Sequence, residues 1–154
     1  MLLICISSNN CRISLTSHPQ KNPSTAPNFC MLLRKYLIGL KIKNIYTIDL
    51  ERIVFIDLEN NENPNKPICR KLIIELMGKH SNIILTDSNN IIIDSMRHIY
   101  KEDGIRNIVP HVKYTYPDTN KRNFLDCSNF SEFYKLLSNE IALALLKYSI
   151  PSIF

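Results

Sequence analysis

The stretch from Ile53 to His98 narrows most sharply what this chain can fold into. It is a succession of β-prone runs, "IVFIDL", "CRKLIIELM", "NIILT" and "IIIDSMRH", parted by short polar breaks that hold most of the Asn and Pro of this stretch and one Gly. Runs of this length with such punctuation read as strands, and tight connections join them as antiparallel neighbours. The predicted strands cover Ile53–Leu58, Cys69–Met77, Asn82–Thr86 and Ile91–His98, with "NNENPNKP" and "DSNN" as turns. Upstream, Ile42, Ile45 and Ile48 alternate with polar residues, which predicts a further strand and a turn near Asp49 and Leu50. Leu2–Ser7 and Arg12–Thr16 read as a hairpin about "SSNNC", since Asn tolerates positive φ and Ser closes turns.

Between hairpin and meander the period changes. "SHPQKNPSTAP" holds three prolines and no apolar repeat, so it is a loop. In "NFCMLLRKYLIGLK", Phe29, Leu32, Leu33, Tyr36 and Leu37 recur at helical spacing, with Asn28 as the expected N-cap and Gly39 as the C-terminal stop. Residues 99–119 are irregular and read as a domain edge running into a linker. A second helical pattern runs from Ser131, the expected N-cap, to Tyr148 through Phe133, Leu136, Leu137, Ile141, Leu145 and Leu146. The expected fold is α+β: a mainly antiparallel, β-sandwich-like domain of about seven strands with one packed helix, followed by a C-terminal helix.

An apolar content of 45% in 154 residues is enough for an ordinary core. The apolar runs fall short of a membrane span, and "MLLICISSN" lacks the basic start of a secretion signal, so a cytoplasmic chain is expected. Cys5, Cys11, Cys30, Cys69 and Cys127 are odd in number and include no Cys-x-x-Cys spacing. His18, His80, His98 and His111 complete no metal-ligand spacing with them, so no metal or other cofactor is expected and the thiols read as free. The net charge of +5 leans only slightly towards an anionic partner. With three glycines and no Gly-x-Ser-x-Gly elbow, neither a phosphate loop nor a nucleophile elbow is present, and no catalytic residue is assigned.

The candidates that remain are charged residues beside the strands. Glu51–Arg52 reads first as a turn-flanking ion pair on a solvated face. The sharper reading is an arginine held by its acidic neighbour to meet a phosphate or base edge. In "ELMGKHSN", Lys79 and His80 are a solvated hairpin tip or an RNA-facing one, and Met77 suits a core.

Four segments, "PNFCMLLRKYL", "DLERIVFIDLE", "KLIIELMGKHSNIILTD" and "IIIDSMRHI", closely resemble, in order, the N-terminal domain of the NFACT family, often labelled fibronectin-binding protein A-like. The resemblance covers about residues 2–117. It implies a domain similar to the N-terminal domain of formamidopyrimidine-type DNA glycosylases. It also implies a ribosome quality-control role: family members bind the obstructed large ribosomal subunit with its peptidyl-tRNA and recruit alanyl-tRNA for mRNA-independent tailing. Bond formation there belongs to the ribosome, so the chain is expected to be a tRNA-recruiting factor and not an enzyme. The family's Asp-Arg motif falls on Glu51 and Arg52, and its Glu-(Ile/Leu)-Met motif on Glu75, Leu76 and Met77, which implies tRNA binding by these five residues. Glu51 departs from the usual Asp by one methylene.

The resemblance further divides the chain into a partial N-terminal domain (1–117), a linker (118–130) and the truncated start of a helix-hairpin-helix domain (131–154). Truncation at both ends is expected to leave an exposed sheet edge. Two other readings stay open: a surface protein of the fibronectin-binding kind, which needs an export signal the sequence does not display, and a non-functional gene fragment.

Overall fold

The computed structural model describes residues 1–18, 21–48, 51–60, 67–100, 106–117 and 127–135. The chain divides into two units, Met1–Pro117 and Asp118–Phe154. In the first, β1 (Leu2–Cys5) and β2 (Arg12–Leu15) form an antiparallel hairpin, and α1 spans Asn28–Leu37. A five-stranded antiparallel meander follows in sequential order: β3 (Lys41–Thr47), β4 (Ile53–Asn60), β5 (Ile68–Glu75), β6 (Asn82–Asp87) and β7 (Ile92–Ser95). The α+β class and its mainly antiparallel sheets are as expected. The predicted turns at Asp49–Leu50 and within 61–66 lie outside the described residues.

The sheet is covered on both faces, which explains why β4 and β5 read as nearly continuous apolar runs. On one face Ile53, Phe55, Ile73, Ile84 and Ile92 pack with Ile108 and Tyr114. On the other, Ile56, Leu58, Leu72, Ile74 and Leu85 pack against Ile4 and Ile13 of the hairpin and Leu32, Leu33, Tyr36 and Leu37 of α1. Successive strand residues point to opposite faces, so one strand feeds both clusters. At the sheet's edge, β3 exposes Ile42 and Ile45. Lys41, Lys43 and a bulge between Ile42 and Asn44 disfavour pairing with another strand there.

Two expected helix caps are corrected. Pro27, not Asn28, holds the cap position of α1: its carbonyl already accepts the Met31 N–H at 3.1 Å, and no side chain caps the helix. Gly39 does end the helix, at φ +87°, the left-handed conformation that glycine adopts without strain. In the second unit residues 130–135 are helical. The cap there is Asn129, not Ser131: Asn129 Oδ1 accepts the Glu132 N–H at 2.9 Å, while Glu132 Oε2 accepts from Ser128 N–H at 3.1 Å. The remainder of that predicted helix lies outside the described residues.

The segment read as an irregular domain edge reaches the boundary of the first unit at Pro117 and also contributes to its core. Residues 106–117 form a strap that completes the core. The Ile92 N–H donates to Val112 C=O, the Tyr114 N–H to Asn90 C=O, and Ile99 and Ile108 exchange two backbone bonds. Ile108 is fully buried. All five cysteines are free thiols. Among the described residues no helix is long and apolar enough to cross a membrane.

Candidate functional site

In an antiparallel meander the start of β4, the end of β5, the start of β6 and the end of β7 lie at one end of the sheet. That topology gathers residues far apart in sequence. The Leu76 N–H donates to Arg52 C=O at 2.8 Å, so the Glu51–Arg52 pair and the Glu75–Met77 triplet meet through the backbone. Arg52 is exposed, while Glu51 is half-buried with its N–H on Ile48 C=O at 3.2 Å.

The turn "GKHSN" sorts into scaffold and surface. Gly78 takes φ +57°, and a Cβ there would be only in ordinary contact with Ser8 O at 3.6 Å, so backbone conformation and not space calls for glycine. Ser81 and Asn82 are fully buried. Ser81 Oγ accepts the Met77 N–H at 2.9 Å. Asn82 ties down the far end of β7, donating through Nδ2 to Arg97 C=O at 2.8 Å and accepting the Arg97 N–H at 3.0 Å. This clamp ends β7 at Ser95, short of the predicted His98. Lys79 and His80 alone of the turn are exposed. Arg97 lies across the tip with Nη1 on Lys79 C=O at 2.8 Å. Arg52, Lys79, His80 and Arg97 thus form a basic rim at this end.

The hairpin turn before β2 adjoins the rim. The Gly78 backbone first, then the Ser81 hydroxyl, and more weakly the Arg52 charge, lower the Cys11 thiol below its ordinary value.

The triplet divides between the two faces. Leu76 packs into the cluster under α1, and Met77 into the opposite one. Glu75 is fully buried, and its carboxylate is ion-paired with Arg106 and accepts from Tyr114 Oη at 2.9 Å. Arg106 also donates from Nε to Thr115 C=O at 2.9 Å and lies 5.5 Å over the Tyr114 ring. Glu75 therefore presents no surface of its own and fastens the strap to the end of β5. Sequence reasoning missed Arg106 and Tyr114, which lie 31 and 39 residues away with no local signal.

Burial, followed by the Glu75 charge, pushes Tyr114 above the ordinary phenol range, so it stays protonated and donates. The sign of its linkage to stability follows. Its stabilisation is complete below the unfolded phenol value, about 10. As pH rises beyond that value, the unfolded chain releases a proton the folded one keeps, and stability falls. Urea titrations at neutral and high pH should show Tyr114→Phe with a flatter alkaline loss. At neutral pH it should lose about 1.5–3 kcal/mol, as expected for a hydrogen bond to a buried carboxylate. An unchanged alkaline slope would contradict the assignment.

The chain matches the family described as NFACT N-terminal and middle domains over residues 1–148. It is 37% identical over 118 residues to the Rqc2 homolog RqcH of Bacillus subtilis, covering 75% of this chain and 21% of that protein. It is 36% identical over 134 residues to the Rqc2 homolog RqcH of Streptococcus suis, covering 85% of this chain and 24% of that one. The chain thus spans less than a quarter of the length of these two relatives. The solved N-terminal part of the fibronectin/fibrinogen-binding protein from Streptococcus suis superposes with a TM-score of 0.74 at 36% identity, covering 89% of this chain and 52% of that one.

Proposed function

The chain belongs to the family of NFACT N-terminal and middle domains, and from that membership we propose that it is the tRNA-gripping part of a ribosome quality-control factor. In this reading it works in the cytoplasm at the obstructed large ribosomal subunit with its peptidyl-tRNA. It recruits alanyl-tRNA for tailing of the stalled chain and leaves the bond chemistry to the ribosome. The observation that carries the reading is the junction of the two motifs at one end of the sheet, through the Leu76–Arg52 backbone bond, beside the rim of Arg52, Lys79, His80 and Arg97. Exposed guanidinium and ammonium groups meet phosphates and base edges. The buried Glu75 acts at one remove, by holding Arg106 and the strap.

The test is binding of an alanine-accepting tRNA across a salt series. Arg52→Ala should weaken binding roughly tenfold and reduce the salt slope by about one phosphate contact. Equal affinity and equal slope for Arg52→Ala and the parent chain would remove the proposal. The likeness to the fibronectin/fibrinogen-binding protein from Streptococcus suis supports a second reading, fibronectin binding. Fibronectin capture without tRNA binding in the same assay would favour it.

A further inference from the structure

A run of four aromatic rings borders this end of the sheet. Tyr46 stacks on Phe55 with centroids 5.2 Å apart and planes 17° apart. Phe55 meets Tyr116 at 6.0 Å, and Tyr116 meets Tyr114 edge-on at 5.6 Å. Two of the rings are buried, with Phe55 2% and Tyr114 6% exposed, whereas Tyr116 is 54% exposed and Tyr46 half-buried. The register places the run at the end that carries Arg52: Tyr46 pairs with Phe55 across β3 and β4, and Ile53, two residues before Phe55, pairs with Glu75. The Arg106 guanidinium lies over the Tyr114 ring, beside the open one.

An open aromatic ring braced by buried rings, next to a cationic rim, is the arrangement that takes an unstacked nucleobase. The base stacks on the ring while its phosphates meet the cations. We propose that Tyr116, which shares its Phe55 neighbour with Tyr46, is a stacking shelf for one unpaired nucleobase of the bound RNA. This rests on the RNA-binding reading above and adds to it a single-stranded element in the ligand. Phe55 holds the shelf from below, and the Glu75–Arg106–Tyr114 cluster sets the height of the strap that carries Tyr116.

The experiment uses the full chain and two probes: an alanine-accepting tRNA, and a short single-stranded RNA carrying one 2-aminopurine. Tyr116→Ala should weaken both probes about tenfold. It should abolish the 2-aminopurine quench and leave the salt slope unchanged, because stacking releases no counterions. Tyr116→Phe, which keeps the ring and loses the hydroxyl, should bind like the parent. A matched urea midpoint for Tyr116→Ala assigns the loss to binding rather than folding. If Tyr116→Ala is destabilised, Tyr116→Leu, which keeps apolar bulk without a π face, serves in its place. If tRNA binds equally well to these variants, the shelf is wrong and the Arg52 reading stands. If the short RNA is quenched through Tyr116 while tRNA does not bind, the shelf stands and the tRNA reading fails. If neither probe binds the parent chain, both are overturned.

Discussion

Replacing Arg106 with Met is expected to destabilise the first unit by about 3–5 kcal/mol, because it strands a buried carboxylate without its cation. Glu75 is fully buried, and among the described residues its other side-chain bond comes from the neutral Tyr114 hydroxyl. Domains of this size are stable by only about 5–15 kcal/mol, so the variant would approach the unfolding threshold. The double variant Glu75→Leu with Arg106→Met should recover most of the loss, since removing both charges also removes their desolvation penalty. Urea unfolding of the parent, both single variants and the double closes the cycle. A loss below about 1 kcal/mol for Arg106→Met would show that the pair is solvated and that the strap is held by apolar packing instead.

The second large effect is expected at Phe55. It sits in β4, a strand hydrogen-bonded on both sides, with Tyr46 and Tyr116 against its ring. Phe55→Ala should be about 3–5 kcal/mol less stable, since the sheet backbone cannot close around the missing ring. Phe55→Leu should lose distinctly less, because it keeps most of the volume. The near-ultraviolet circular dichroism of the tyrosines should weaken with Phe55→Ala, as Tyr46 and Tyr116 lose their shared neighbour. A cost within about 0.5 kcal/mol would mark the site as surface-like.

Much of the fold was legible because its signals are local. The "DSNN" turn works through its own residues: Asp87 Oδ1 accepts the Asn89 and Ile91 N–H groups at 2.8 and 2.9 Å, and Asn90 adopts φ 60°. The α1 stripe of Leu32, Leu33, Tyr36 and Leu37 likewise packs as its spacing requires. β7 ends at Ser95 and not at His98, because Asn82 clamps the backbone of Arg97, 15 residues further along the chain. Residues 106–117 lacked any period, since the strap crosses the sheet face with isolated bridges and alternates nothing.

The candidate site was legible in outline only. Arg52, Glu75 and Met77 could be singled out, yet in β5 the residues from Leu72 to Glu75 are all buried, so alternation gives no clue to which polar residue faces water.

Strand order, the helical stripe and the positive-φ turns follow from neighbours a few residues apart, and their chemistry is written along the chain. Whether Glu75 meets solvent or Arg106, and whether Tyr116 lies in the core or on its rim, depends on which distant segment closes over each face. Those contacts join residues tens of positions apart. Their free energies come from burial and from pairing charges away from water, neither of which exists until the sheet and the strap have met.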